Sequence, residues 1–500
     1  MSMRQLTGSA ALAGLILLTG CGASEPMALQ GPGAASVVAA PGAGAGSTSG
    51  AAPGVAVMTT GAAPSSPSSP SATRPAPSVK PVVRPGTGRI AKLAAITAPR
   101  PSPYDGGGNY GGPDDLYLLP TSATAAQVVS HNSGAHTLSV DTYSTRTWKQ
   151  AGARRTISLA GWDRWGGIYA APKGDIFVLV GRANPTQNDN LDVVAVRRYN
   201  AQWKLLGTGY VKGGVTQTFK GIYEPFAAAG ARMLMVGSQL VVDMGRTMYS
   251  GGDGLHHQSD LMFTVSVPGM KTTVVTGQTP FSSHSFRQLL ATSSSGLIVV
   301  QHGDAYPRAI QLGLMRSFPK GALSANQILK IKGNVGDNRT GTTLDGVASG
   351  PSGVVVLGTS SNPAQAPQGP ERARNVFAIA ANPATGKSTL RWLSKQPWTG
   401  SASVGESRVV QVGKDRFVVL FALTGQKPRL EYRLLDSRGV VKATASFAGK
   451  TFFPGAQPIL IGTQIVWVDV DQKSRSAQRS AYLHGLDIST PTKPIPVGRL

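Results

Sequence analysis

The sequence predicts an all-β fold, a β-propeller of about seven four-stranded blades with six as the runner-up, placed after a disordered N-terminal tether. Three observations predict it. First, a glycine-centred turn opens into a short run of Val, Ile, Leu, Phe or Trp at Gly174 (GDIFVLV), Gly237 (GSQLVVDM), Gly296 (GLIVV), Gly353 (GVVVLG), Gly413 (GKDRFVVLF) and Gly462 (GTQIVWVDV). The strides between these glycines are 63, 59, 57, 60 and 49 residues, which suits a four-stranded blade with enlarged loops. Second, strand–turn–strand segments lie between the glycine turns, at 193–207, 262–275, 375–393 and 429–445, each with Asn, Gly or Pro at its tip, as a β-hairpin requires. Third, helical periodicity is nearly absent beyond residue 116, where β-branched and aromatic stretches alternate with Gly, Pro and Asn. A pair of β-sandwiches would not need six like units in one series.

Taken in order, the chain opens with Arg4, an apolar stretch from Leu12 to Leu18 (LAGLILL), and then Leu18-Thr19-Gly20-Cys21. Cys21 is the only cysteine, so an internal disulfide and a multi-cysteine metal site are excluded. The apolar run falls far short of the roughly 20 residues that span a bilayer. Residues 22–103 are dominated by Ala, Gly, Pro and Ser, including Pro64-Ser65-Ser66-Pro67-Ser68-Ser69-Pro70. Such a segment buries too little apolar surface to offset chain entropy. It reads as a tether whose root-mean-square span is about 50 Å as a flexible coil. The expected division is therefore an apolar leader over 1–20, Cys21 with a disordered linker over 21–103, and the propeller over 104–500.

Within the propeller each blade is expected to run a to d. Inner strand a precedes the glycine turn, strand b follows it, and a long loop leads to the c–d hairpin. The segment 116–160 supplies most of a seventh blade, with strands from both chain ends available to close it. Because strand direction alternates, a–b and c–d turns fall on one face, and b–c loops and d–a connections on the other. The a–b and c–d turns are short. The b–c loops at 182–192, 245–260 and 359–374 are long and polar. Functional residues collect on such loops above a rigid scaffold, which marks the b–c face as the candidate ligand face.

One seam on that face stands out, because four of the seven histidines lie between residues 256 and 302. One loop carries Arg246, Tyr249, Asp253, His256, His257 and Asp260. His284 enters the next inner strand, and the following loop carries His302, Asp304, Tyr306 and Arg308. These residue types together supply charge, hydrogen bonding and proton transfer. A binding pocket, a general acid/base site and loops cross-braced by their own hydrogen bonds are the competing readings. A zinc site needs converging ligands, and no HxH or HExxH spacing supports one. The Asn/Asp run at 188–192 offers oxygen ligands for calcium but lacks the fuller loop spacing. No metal or other cofactor is expected. Glu224, Asp345 and Glu406 each stand near the start of an inner strand. They would ring the channel mouth with His284, holding a cation or bonding to neighbouring blades.

The net charge is +24, of which +18 lies beyond residue 100. A basic surface attracts anionic lipid, wall polymer, acidic glycan or nucleic acid, but the scattered Lys and Arg form no block of the kind that marks a nucleic-acid arm. There is no GxSxG elbow and no strand–GxxxxGK–helix context, so a serine nucleophile and a phosphate loop are unsupported.

Two resemblances extend this reading. Arg4, the apolar stretch and Leu18-Thr19-Gly20-Cys21 resemble the signal and lipobox of bacterial lipoproteins. The resemblance implies cleavage before Cys21, acylation of its thiol and new amino group, and membrane attachment through that lipid. Gly22 rather than Asp follows the cysteine, which favours the outer membrane in a Gram-negative cell. Residues 165–312 resemble a group of uncharacterised extracellular bacterial propellers. The likeness is carried by Trp165-Gly166-Gly167-Ile168-Tyr169, by Tyr199 and Trp203, by Met248-Tyr249 with Asp253-Gly254-Leu255-His256-His257-Gln258, by Ser283-His284-Ser285-Phe286, and by the segment from His302 to Arg308. His256 stands where that group carries Asn, so the histidine pair is a local departure, which weakens a metal or dyad reading.

The sequence therefore leads to a cell-envelope lipoprotein whose propeller binds an anionic glycan, wall polymer or protein on its b–c face. Arg246, Arg308, His284 and His302 would make contact, and Asp253 and Asp304 would orient the histidines. A glycan lyase or hydrolase using His, Tyr and Arg of the same face is the enzymatic alternative. A structural component of an envelope complex is the third.

Overall fold

The computed structural model describes residues 89–93, 96–97 and 112–497, except 123, 216–220, 228, 276–282, 320–322, 338, 367–372, 399–403, 425–427, 449–455 and 471–477. The signal segment, Cys21 and most of the linker lie outside the described residues.

Seven antiparallel units follow one another. In blade 1 strands a to d are Leu116–Ser122, Ala125–Asn132, Thr137–Ser144 and Arg155–Ser158, and in blade 2 they are Arg164–Ala170, Ile176–Gly181, Asp192–Tyr199 and Leu205–Lys212. Blade 3 comprises Ala231–Val236, Gln239–Thr247, Gln258–Ser266 and Lys271–Val274, and blade 4 Ser283–Ser293, Gly296–Ala305, Arg308–Met315 and Leu323–Lys330. Blade 5 comprises Gly346–Gly350, Gly353–Ser360, Asn375–Ala381 and Ser388–Trp392, and blade 6 Val404–Gly413, Arg416–Leu423, Arg429–Asp436 and Val441–Ala448. Blade 7 has Ile459–Ile461, Gln464–Val470 and Ala481–Asp487. Its outer position is shared: Arg89–Lys92 pairs with one half of the third strand and Ile495–Val497 with the other. The a strands contact their neighbours from blade 1 through blade 7 and back to blade 1, which closes the ring.

All six glycine turns seen in the sequence join an a strand to a b strand. At Gly174, Gly237, Gly296 and Gly462 the backbone has φ between 58° and 134°, a region that side chains other than glycine's enter at a cost. The apolar runs after them become b strands with both faces covered. In blade 2, Phe177 and Leu179 face blade 3, while Val178 and Val180 face blade 1. This period of two explains why the runs read as continuously apolar rather than alternating.

Two boundaries differ from expectation. Residues 116–158 form a complete blade of their own, and closure by both chain ends occurs in blade 7. Residues 89–92, expected in the linker, are a strand of that blade; RIAK is too short and too mixed to stand out beside the Pro-rich stretch before it.

Candidate functional site

The b strands of blades 3 and 4 reach further toward the b–c face than their polarity suggests. Blade 3 pairs Thr247 with Gln258, and blade 4 pairs Asp304 with Arg308 across the three residues Ala305-Tyr306-Pro307. Arg246, Asp260, His302, Asp304 and Arg308 are therefore strand residues and buried, not loop residues open to a ligand.

Their roles follow from that burial. Arg308 donates to the carbonyls of Lys332, Asn334, Asp337 and Arg339, so one guanidinium gathers the d–a connection of the next blade. Arg246 donates to Gly221 O in the connection entering blade 3. Burial pulls its pKa down to about 10, against the pull of Asp260. His302 is packed edge-on to Phe286 with neither ring nitrogen hydrogen-bonded among the described residues. Burial, then Arg308 and Arg374, lower its pKa to about 3, so it is a neutral imidazole. These three residues were expected to meet a ligand, and the structure sets them inside the scaffold.

Two more predicted residues brace loops. Tyr249 O–H accepts from the fully buried Asn184 amide at 3.0 Å. The same amide donates to Asn188 O and Ile222 O, each at 3.2 Å. Asn184 thus knits the b–c loops of blades 2 and 3, and its signal in the sequence is only the Asn-Pro pair. His256 stacks on Tyr223 at 3.6 Å and holds Met248 O through Nδ1 at 2.8 Å.

The remaining seam residues do come together. His257 Nε2 meets Asp253 Oδ2 at 2.6 Å, and His284 Nδ1 lies 3.2 Å from Asp304 Oδ1. The two imidazoles face each other, centroids 6.1 Å apart and 21° from parallel. The Leu255 amide, and then His257, hold the Asp253 carboxyl below its ordinary value. His284 has φ 50°, and the strand register slips beside it, between Ser285 and Arg287. A non-glycine residue in that region stores strain, which structures tend to keep at working positions. Tyr306, also at positive φ, projects from the neighbouring turn with 80% of its surface exposed.

Of the acids expected at the channel mouth, Glu224 and Asp345 bond to neighbouring blades. Glu224 is held by Arg164 of blade 2, and Asp345 accepts from Ser407 Oγ of blade 6 at 2.6 Å. The Glu406 side chain lies outside the described residues. Arg232, Arg287 and Arg408, from the inner strands of blades 3, 4 and 6, form a cationic ring around the carboxylate of Asp114. Burial alone would raise the Asp114 carboxyl, but Arg232, Arg287 and Arg408 outweigh it and hold it below its ordinary value. Burial and repulsion from Arg232 and Arg408 bring Arg287 down to about 10. Burial also lowers Arg374, at the start of a blade 5 strand, with Asp345 acting against it. This ring was missed in the sequence because its members are far apart. A signal exists: arginine stands five to ten residues before the turn glycine in four repeats, at Arg164, Arg232, Arg287 and Arg408.

Among the described residues no group of three or more His, Cys, Asp or Glu side chains stands where it could hold a metal ion. In the 188–192 loop, Asn188 serves its own turn by accepting from Asn190 N at 2.9 Å.

No family model matches the chain, and no curated protein matches it. Several solved structures show a distant likeness to the chain. A polysaccharide lyase is 9% identical, with a TM-score of 0.42 over 81% of this chain and 98% of that one. A protein of unknown function from Dyadobacter fermentans is 8% identical, with a TM-score of 0.38 over 79% and 98%. The quinohemoprotein alcohol dehydrogenase of Comamonas testosteroni is 9% identical, with a TM-score of 0.40 over 75% and 74%. These likenesses concern the fold alone.

Proposed function

We propose that the chain is a lipid-anchored protein of the bacterial cell envelope whose propeller binds an anionic ligand, an acidic glycan or wall polymer, at the b–c end of its central channel. The observation that carries this reading is the set of three guanidinium groups, Arg232, Arg287 and Arg408, gathered around a single carboxylate. Three like charges crowded into one partly desolvated place repel one another, and an incoming anion relieves that repulsion. The excess of +18 beyond residue 100 steers such a ligand toward the protein. His257, His284 and the exposed Tyr306 would add hydrogen-bonding and aromatic surface to such a site. The tether and Cys21 would hold this surface clear of a membrane.

The test is retention of the purified protein on isolated envelope material and on immobilised acidic polysaccharide. The double change Arg232→Gln and Arg408→Gln should abolish retention while the unfolding transition stays cooperative. Unaltered retention rejects the ring as the site. Cys21→Ala should release the protein from membranes into the soluble fraction.

One observation favours an enzymatic second reading on the same face. Two imidazoles that face each other at 6.1 Å, His257 hydrogen-bonded to Asp253 and His284 with Asp304 Oδ1 3.2 Å away, can divide general-acid and general-base roles across a bond placed between them. Cleavage of an acidic glycan that disappears with His284→Ala would establish it. No cleavage across a broad acidic panel would leave binding alone.

A further inference from the structure

The anion inside the arginine ring is supplied by the chain itself. Asp114 belongs to the short segment just before blade 1, and its side chain is 23% exposed. Its Oδ2 stands 3.8 Å from Arg232 Nη2 and its Oδ1 3.9 Å from Arg408 Nη2. A direct charge-assisted hydrogen bond measures roughly 2.7–2.9 Å. Each oxygen thus addresses a different guanidinium and stops about 1 Å short of it. Arg287, the third member, donates to Gly112 O at 2.8 Å, and its Nε is buried with no partner among the described residues. The ring is filled, but loosely.

The segment that brings Asp114 there is lightly held. Gly112–Asp114 belongs to no strand; ladder pairing begins at Leu116. Trp165 Nε1 donates to Asp114 O at 2.9 Å. A side chain at Gly230 would press on Gly112 and Pro113, so the segment lies directly on the inner strand of blade 3. Asp115, by contrast, is pinned at both its groups: His131 N donates to its carbonyl at 2.8 Å, and His131 Nδ1 meets its carboxylate at 2.8 Å. Asp115 is a fixed pivot, and Gly112–Asp114 is the part that can move about it.

We propose that Asp114 is a resident stand-in for the ligand, and that the external ligand of the ring is a carboxylate group which takes its place as Gly112–Asp114 swings away about Asp115. This inference rests on the anion-binding reading above and assigns its chemical class and its competitor. A carboxylate is the class because the resident group is one: a planar pair of oxygens, one aimed at each of two guanidinium groups. A carboxylate free of the backbone constraint on Asp114 can close the remaining distance and reach Arg287, whose hydrogen bond to Gly112 O is released by the same movement. The affinity that a ligand shows is then lowered by the fraction of molecules whose ring is self-occupied.

The probe is a pentamer of galacturonate, with inorganic phosphate as the second anion, titrated calorimetrically into the full-length protein at one fixed ionic strength. The variant is Asp114→Asn, which keeps shape and removes charge. It should bind the pentamer at least tenfold more tightly than the wild type, and phosphate should remain the weaker ligand for both. Equal pentamer affinity in variant and wild type overturns the stand-in while leaving the ring as an anion site. Phosphate binding tighter than the pentamer overturns the carboxylate class and leaves the anion reading intact. Failure of every acidic probe with both proteins defeats the inference and the proposed function together. A measurement on the wild type stands apart from how the variant folds: the indole N–H resonance of Trp165, assigned through Trp165→Phe, should shift when saturating pentamer releases Asp114 O. A resonance that stays in place under saturation overturns the displacement.

Discussion

The interface between blades 2 and 3 and the interface between blades 3 and 4 solve the same packing problem by opposite means. Among the described residues, the first buries eighteen apolar side chains, including Phe177, Leu261 and Phe263. The second buries six, including Val241, Leu297 and Val299. Where the second lacks apolar contact it has two other devices. Ser259 of blade 3 pairs with Ser283 of blade 4, so backbone hydrogen bonds run from one sheet into the next. Gln301 also crosses the gap, its amide donating to Asp243 at 3.0 Å and to Asp260 at 2.9 Å, all three fully buried. Two carboxyls this close in a dry place cannot both ionise cheaply, so burial, and then Asp260, push Asp243 well above its ordinary value, with Gln301 opposing. The oily interface holds the wheel together. The polar one supports the edge where the paired imidazoles and the arginine ring lie.

The largest effect should separate the two interfaces directly. Leu261→Ala and Leu297→Ala remove the same atoms from equally buried positions. Such changes cost about 2–5 kcal/mol according to how well the surroundings collapse. Leu261→Ala should fall near the top of that range and Leu297→Ala near the bottom in denaturant unfolding. Equal losses would break the contrast.

Acid should attack the polar side next. His302 has its pKa lowered to about 3, against an ordinary value near 6.5. Between those values the unfolded chain binds a proton that the folded chain does not, so stability falls as pH drops from 6.5 toward 3. At pH 4 the loss is at most about 3 kcal/mol. His302→Phe should flatten the decline of Tm between pH 7 and pH 4, and an unchanged slope would show that other groups set it.

Smaller is the effect of Arg308→Lys, which keeps the charge and loses the fork that serves four carbonyls. A loss of about 2 kcal/mol is expected, with faster amide exchange confined to residues 331–345. Asp243→Asn comes next. The raised native pKa means that the wild type loses stability as pH rises through it, because the folded state must give up a proton it holds more firmly than the unfolded one. The amide variant lacks that dependence and should overtake the wild type in Tm on the alkaline side. Least of all, His257→Ala should move Tm by no more than about 1 °C, as an exposed position away from the core allows, while weakening ligand retention.

The same contrast explains what could be read in the sequence. The apolar interfaces were legible because both faces of each b strand are oily and each run starts from a glycine turn, as at Gly174 and Gly353. Loop residues Asp253 and His257, with His284, were legible because histidine is rare here and clusters. Arg246, His302, Asp304 and Arg308 read as loop residues because polarity at a strand end looks the same as polarity in a loop; the ladder that buries them is set by pairing partners, such as Gly303 with Ala309, that composition does not reveal. Arg232, Arg287 and Arg408 sit in ordinary strand contexts, 55 and 121 residues apart, and only the closed ring of inner strands makes them neighbours. Asp114 was hidden for the same reason.

The outer edge of blade 7 is zipped by Arg89–Lys92 on one half and Ile495–Val497 on the other. Any tension transmitted through the chain upstream of Arg89 is therefore applied to the rim of the wheel, at a strand whose pairing rests on three residue pairs. A load on that side would therefore meet a three-pair edge ladder before it met the closed ring of inner strands.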